Sequence, residues 1–223
     1  MFGPGYVYDY LECAACHCLQ LVNPPESPDE CYPEAYYSFA VRNEAADRGV
    51  RRWLSDIKTR ASLAGGNTLK NRLVRFVLGE QEDYALLRQL PILEDTRFVD
   101  VGTGSGKFLI PLYLAGYTHC LGIDRYIESD IEYPFGLKIK KATVYDLQGE
   151  FDVVFYNHSF EHIPEQRAEL LKVGDILARN GICVISVPVF PSLAWDLYGV
   201  DWYQIDAPRH FFLHSTQSMA LLA

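Results

Sequence analysis

The chain has 223 residues, 49% of them hydrophobic, with 29 Asp and Glu against 20 Lys and Arg and a formal net charge of −9. That apolar share supports a packed core and excludes a disordered chain, and no apolar run reaches the length of a membrane span. The negative field opposes a polyanionic partner, so nucleic acid is not the expected substrate.

In chain order, the start MFGPGYVYDYLEC lacks a basic stretch followed by an apolar one, so no secretory signal is read and a cytoplasmic protein is expected. Residues 1–34 form a Cys-, Pro- and Tyr-rich segment without a clear period, containing Cys13, Cys16, Cys18 and Cys31. Its stretch NPPESPD is loop material, because Pro interrupts both ladder and helix bonding. Residues 35–92 read as helical. Trp53, Leu54 and Ile57 share one face, and Leu69, Leu73, Phe76 and Val77 share another at steps of three and four, with Asn67 or Thr68 as a cap.

From about residue 93 the pattern changes to short apolar runs alternating with helical stretches. The predicted elements are a strand over Phe98–Val101, a Gly-rich turn, a helix over Lys107–Ala115 and a strand over His119–Ile123. A shorter strand near Lys141–Val144 and another over Phe151–Tyr156 follow. A helix over Glu165–Ala178, stopped by Asn180-Gly181, and a strand over Ile182–Val187 complete the series. The link between the second and third strands holds Pro134 and Gly136 and reads as a turn or a single helical turn. Such alternation predicts an α/β fold: a Rossmann-like, doubly wound, mostly parallel sheet of about five strands over residues 93–223, behind an N-terminal helical region. Cys120 and Cys183, inside apolar runs, read as small buried hydrophobes.

Five segments carry chemistry. In VDVGTGSGKFL, glycines at 102, 104 and 106 follow a strand and precede a helix, where a missing Cβ permits tight backbone geometry. A P-loop fails there: Gly106-Lys107 is followed by Phe108, and Val101 stands at the early glycine position. A dinucleotide GxGxxG fails too, since Lys107 occupies the third glycine's place. Asp124 ends the next strand, where an acid accepts bonds from ribose hydroxyls. Tyr145 and Asp146 follow the third strand. NHSFEHIP (Asn157–Pro164) follows the fourth and, in a doubly wound sheet, should face the Gly turn across one crevice. YGVDWYQIDAPRHFFLHS, with Asp206, Arg209, His210 and His214, reads as a substrate lid.

The acid-x-Gly-x-Gly-x-Gly pattern from Asp100 resembles motif I of class I S-adenosylmethionine-dependent methyltransferases. The strings DVGTGSGKFL, GIDRYIESDIEYPFGLKI, FDVVFYNHSFEHI, ARNGICVISVPV and DWYQIDAPRHFFLHS together resemble a bacterial group of these enzymes found among sugar- and polysaccharide-related proteins. The resemblance implies S-adenosylmethionine as cofactor, held by Asp100, Gly102, Thr103, Gly104, Gly106, Asp124, Tyr145, Asp146, Asn157 and His158. It implies methyl transfer to a small-molecule acceptor, such as a sugar or sugar-precursor hydroxyl. His158, His162 and His210 are the candidate bases, because a neutral imidazole titrates near working pH; His158 and His210 are preferred.

In that group a Cys-x-x-Cys pair completes a zinc ribbon begun by an earlier pair. Here Cys13 and Cys16 form a half-site and no earlier pair exists, so zinc is the lesser expectation. The group's fold continues into two further strands, so the chain reads as C-terminally incomplete, with an open sheet edge for an oligomer or partner to cover. Two other readings predict different behaviour. One is an inactive cofactor-binding or scaffold protein; the other is an NAD-dependent oxidoreductase, against which the glycine spacing speaks.

Overall fold

The alternating runs become a six-stranded sheet in the computed structural model, which describes residues 7–25, 31–32, 38–40, 49–64, 68–79, 82–90 and 92–223. A hairpin of β1 (Tyr10–Glu12) and β2 (Leu19–Leu21) opens the chain, followed by α1 (Val50–Leu63), α2 (Leu69–Leu78) and α3 (Glu82–Leu87). Then come β3 (Phe98–Val101), α4 (Leu109–Leu114), β4 (Cys120–Ile123), β5 (Ile131–Glu132), β6 (Lys138–Lys140) and β7 (Phe151–Asn157). The chain continues through α5 (Gln166–Ile176), β8 (Leu177–Ser186), α6 (Leu193–Tyr198), β9 (Phe212–Leu213) and α7 (Thr216–Leu222).

The sheet order is β5-β6-β4-β3-β7-β8, with β5 antiparallel and every other pairing parallel. The winding reverses at β3, which lies between β4 and β7, so a crevice opens beyond the carboxyl ends of β3 and β7. Both faces are covered, as a parallel sheet requires. Side chains alternate accordingly. Phe98, Val153 and Phe155 enter one apolar cluster with Leu109, Ile110 and Tyr84, while Val99, Val101, Val154 and Tyr156 enter the other with Phe160, Val173 and Ile176.

Several elements differ from expectation. The sheet has six strands rather than about five, because the link holding Pro134 and Gly136 is a hairpin turn: Tyr133 N–H donates to the Leu137 carbonyl, and β5 pairs with β6. The third strand is Lys138–Lys140, ahead of the expected Lys141–Val144; Val144–Asp146 is a 3-10 turn. Helix α4 starts at Leu109 rather than Lys107. Helix α5 ends at Ile176 and the chain turns directly into β8, so Asn180-Gly181 is not a helix stop; Asn180 adopts φ 67° within the strand.

Thr68 caps α2, accepting from Asn71 N–H, whereas Asn67 lies outside the described residues, as do residues 26–29, 35–37 and 41–48 of the expected loop and helical stretches. Leu69, Leu73, Phe76 and Val77 do share a face, but it is exposed. Cys120 and Cys183 are partly buried in β4 and β8, and burial pushes each thiol up to about 12. No helix among the described residues is long and apolar enough to cross a membrane.

β2 pairs with β9, so the Cys-rich N-terminal segment and the segment after β8 share one small three-stranded sheet. On the far face of the large sheet, the buried Tyr156 hydroxyl donates to Glu169 Oε1 of α5 at 2.9 Å. Burial, the larger cause, pushes the Glu169 carboxyl upward, and the tyrosine opposes it. Tyr156→Phe is therefore expected to cost about 1–3 kcal/mol by leaving a buried acceptor without its donor. A urea midpoint equal to that of the unsubstituted protein would contradict this.

Candidate active site

A cleft of about 2190 Å³ lies beyond β3 and β7, lined by the Gly turn, the β4 end, residues 157–164 and the segment from Trp195 to His210. The turn after β3 is tied inward. Thr103 donates through its hydroxyl to Asp100 Oδ2 at 2.6 Å. Asp124 accepts from Gly104 N–H through Oδ2 and from Tyr126 N–H through Oδ1, each at 2.8 Å, and from Ile127 N–H. Burial pushes the Asp124 carboxyl above its ordinary range, opposed by those backbone donors and by Arg125. A carboxylate has about four acceptor sites, so this count leaves about one for a ligand hydroxyl in the cleft.

The glycines meet protein before ligand. Gly102 has φ +76°, and a Cβ there would stand 2.4 Å from Ser159 Cβ. The Ser159 hydroxyl donates to the Val101 carbonyl at 2.5 Å, drawing the loop after β7 against the loop after β3. Gly104, at φ +57°, backs onto the Ser38 carbonyl, which would lie 2.5 Å from an added Cβ. The turn is thus shaped by two neighbouring segments, and the expected crevice between the Gly turn and NHSFEH is present.

Of the residues named from sequence for the cofactor, Asp100, Gly102, Thr103, Asp124, Tyr145, Asn157 and His158 line the cleft. Gly104 and Gly106 shape the turn behind it. Asp146 closes a capping box, accepting from the Thr143 N–H and hydroxyl, bonds that hold its carboxyl low.

His158 and His210, the preferred bases, meet at the carboxylate of NHSFEHIP. Glu161 is fully buried, and Oε1 lies 3.8 Å from His158 Nδ1 and 3.7 Å from His210 Nε2. Neither Glu161 oxygen has a partner of hydrogen-bonding geometry, and burial pushes the carboxyl up to about 8, opposed only by its own backbone N–H. His158 is half-exposed on the cleft and holds φ +53°, a left-handed conformation uncommon outside glycine. His210 is buried and held well below the usual histidine range by desolvation. The Gln204 carbonyl leans toward it without completing a hydrogen bond.

His162 is pushed down to about 4 by burial; its Nδ1 lies 3.0 Å from the Arg209 carbonyl and 2.9 Å from the Tyr32 hydroxyl. The segment after β8 is therefore folded onto NHSFEH. Phe211 N–H donates to the Glu161 carbonyl, Tyr10 donates to the His210 carbonyl at 2.7 Å, and Arg209 forks onto Asp206. Tyr32, stacked 4.1 Å from Tyr126, had no signal in the sequence, whereas Glu161 and His162 were spelled out in NHSFEHIP.

Cys13 and Cys16 sit in a turn closed by His17 N–H to the Cys13 carbonyl, with backbone N–H groups lowering the Cys13 thiol. Among the described residues no third ligand atom gathers with them. The one group of three among the described residues is Glu161, His162 and His210.

A family model described as a methyltransferase domain matches residues 50–223. No match is found among curated proteins. Among solved structures, the chain is similar to a magnesium protoporphyrin IX methyltransferase from Synechocystis with bound SAH, at 18% identity and TM-score 0.48, covering 77% of this chain and 80% of that one. It is similar to a possible histamine N-methyltransferase from Thermotoga maritima at 18% identity and TM-score 0.41, covering 59% and 62%. A methyltransferase of calicheamicin biosynthesis in its SAH-bound form matches at 13% identity and TM-score 0.44, covering 78% and 61%.

Proposed function

The chain belongs to the methyltransferase-domain family, and from that premise we propose that it transfers a methyl group from S-adenosylmethionine to a hydroxyl of a small molecule, such as a sugar or sugar precursor. The observation that carries this reading is one cleft lined both by the Gly turn with Asp124 and by His158 beside Glu161. The cofactor supplies a methyl group already electrophilic on its sulfonium. Thr103 and Gly102 would bound it, Asp124 would accept from a ribose hydroxyl, and Tyr145 and Asn157 would flank its base. Asp100, Gly104, Gly106 and Asp146 act on the cofactor through the turns they hold.

His158 is the group that removes the acceptor's proton, since its ring is open to the cleft and half-exposed. His210 works from the buried side, positioning Glu161 beneath His158. The exposed Tyr203, with Trp195 and Trp202, offers the acceptor an aromatic wall. A charge of −9 favours a small acceptor over nucleic acid.

Heat unfolding of the full chain with and without S-adenosylhomocysteine tests the cofactor; a ligand that binds the folded state raises the midpoint. No rise for well-folded protein, together with a rise from NAD, would overturn the reading. Once an acceptor is in hand, His158→Ala should lower kcat about 10²-fold with cofactor affinity kept. An unchanged kcat would remove His158 from the chemistry.

A further inference from the structure

Glu161 poses a physical problem that the hydroxyl chemistry alone does not solve. Its side chain is 1% exposed and neither oxygen has a partner of hydrogen-bonding geometry. The groups beside it are imidazoles, with His210 Nε2 at 3.7 Å and His158 Nδ1 at 3.8 Å from Oε1. Yet Glu161, His162 and His210 each offer a ligand atom, and the three atoms lie within 4.8 Å of one another.

We propose that Glu161, His162 and His210 bind a divalent transition-metal ion on the inner wall of the cleft, with His158 at its open side. Two imidazoles and one carboxylate are the donor set of zinc, manganese or cobalt, whereas magnesium and calcium take oxygen ligands. Zinc bonds of about 2.0–2.1 Å in a tetrahedron put ligand atoms roughly 3.4 Å apart. The 3.7 Å between Glu161 Oε1 and His210 Nε2 therefore closes by a few tenths of an ångström.

The supporting contacts are those a ligating histidine needs. The Arg209 carbonyl can only accept, so a proton on His162 Nδ1 would donate to it and leave the Nε2 lone pair for the ion. His210 already turns Nε2 toward Glu161. Three protein ligands leave a position for a small molecule. An acceptor hydroxyl bound there loses its proton more readily, with His158 taking it up; this use rests on the function proposed above, while the metal site does not.

The test is Co²⁺ titration of the full chain after chelator dialysis, read by visible absorption and calorimetry. One Co²⁺ per chain is expected, with ligand-field bands and no thiolate charge-transfer band. Affinity should fall at least 100-fold in Glu161→Gln and His210→Gln, and should change less than about twofold in the double variant Cys13→Ser, Cys16→Ser. Glu161→Gln keeps the side chain's size and removes a buried acid, so it decides the matter if His210→Gln fails to fold. Absence of stoichiometric Co²⁺ in folded protein, affinity unchanged by Glu161→Gln, or a thiolate band lost in the cysteine variant overturns the site. Heat protection by S-adenosylhomocysteine, measured on the same samples, separates the two ideas. Protection without Co²⁺ binding overturns the metal site alone, and Co²⁺ binding without protection leaves it standing while overturning the methyltransferase reading.

Discussion

Asp124→Ala is expected to lower stability by about 2–4 kcal/mol and to abolish heat protection by S-adenosylhomocysteine. The carboxylate accepts from the backbone N–H groups of Gly104, Tyr126 and Ile127, and so ties the Gly turn to the end of β4. Each buried donor left without an acceptor costs about 1–3 kcal/mol. Water entering from the cleft recovers part of that, as does the burial cost of the lost charge. Asp124→Asn is the sharper experiment. An amide matches the carboxylate in size but presents N–H on one side, which would face a backbone N–H at either Gly104 or Tyr126. Asparagine should therefore behave closer to alanine than to aspartate. If Asp124→Asn keeps both the melting temperature and the protection, Asp124 does not organise the turn.

The second large effect is expected for Gly102→Ala, at about 2–4 kcal/mol. A non-glycine residue at positive φ costs roughly 1 kcal/mol, and forcing a methyl into occupied space adds roughly 1–3 kcal/mol. The occupied space is Ser159, 2.4 Å from the new Cβ, on the loop that carries His158 and Glu161. The substitution should thus move the cofactor turn and the histidine loop apart, and weaken S-adenosylhomocysteine binding at least tenfold. Gly149→Ala separates strain from collision: it has φ +97° with nothing within 4 Å of the added Cβ, and should lose only the conformational part. Equal melting temperatures for the two variants would show that the Ser159 contact does not matter.

How much of this was legible in the sequence depends on where each element lies. β3 and β7 are central and buried on both faces, so they write continuous apolar runs that need no partner to be recognised. β6, Lys-Ile-Lys, exposes both lysines and buries the isoleucine, and so resembles ordinary polar chain. Pro134 and Gly136 were correctly turn residues, but the two-residue β5 before them has no signal until β6 pairs with it. Asn180-Gly181 carries the local chemistry of a helix end, but α5 ends earlier, at Ile176, and the pair falls in the irregular stretch of β8 between its pairings with β7 at Leu177 and Ile182.

The sequence by itself determined the winding of the sheet, the glycine turn after β3 and the acid after β4. Each rests on interactions between near neighbours in the chain: hydrophobic period, turn chemistry and strand–helix alternation. Only the tertiary structure decided what surrounds Glu161. His162 meets Arg209 across 47 residues and Tyr32 across 130, β2 pairs with β9, and Tyr10 reaches the His210 carbonyl. Contacts at such separation are set by burial and packing of the whole chain, which no spacing of residue types within one segment encodes.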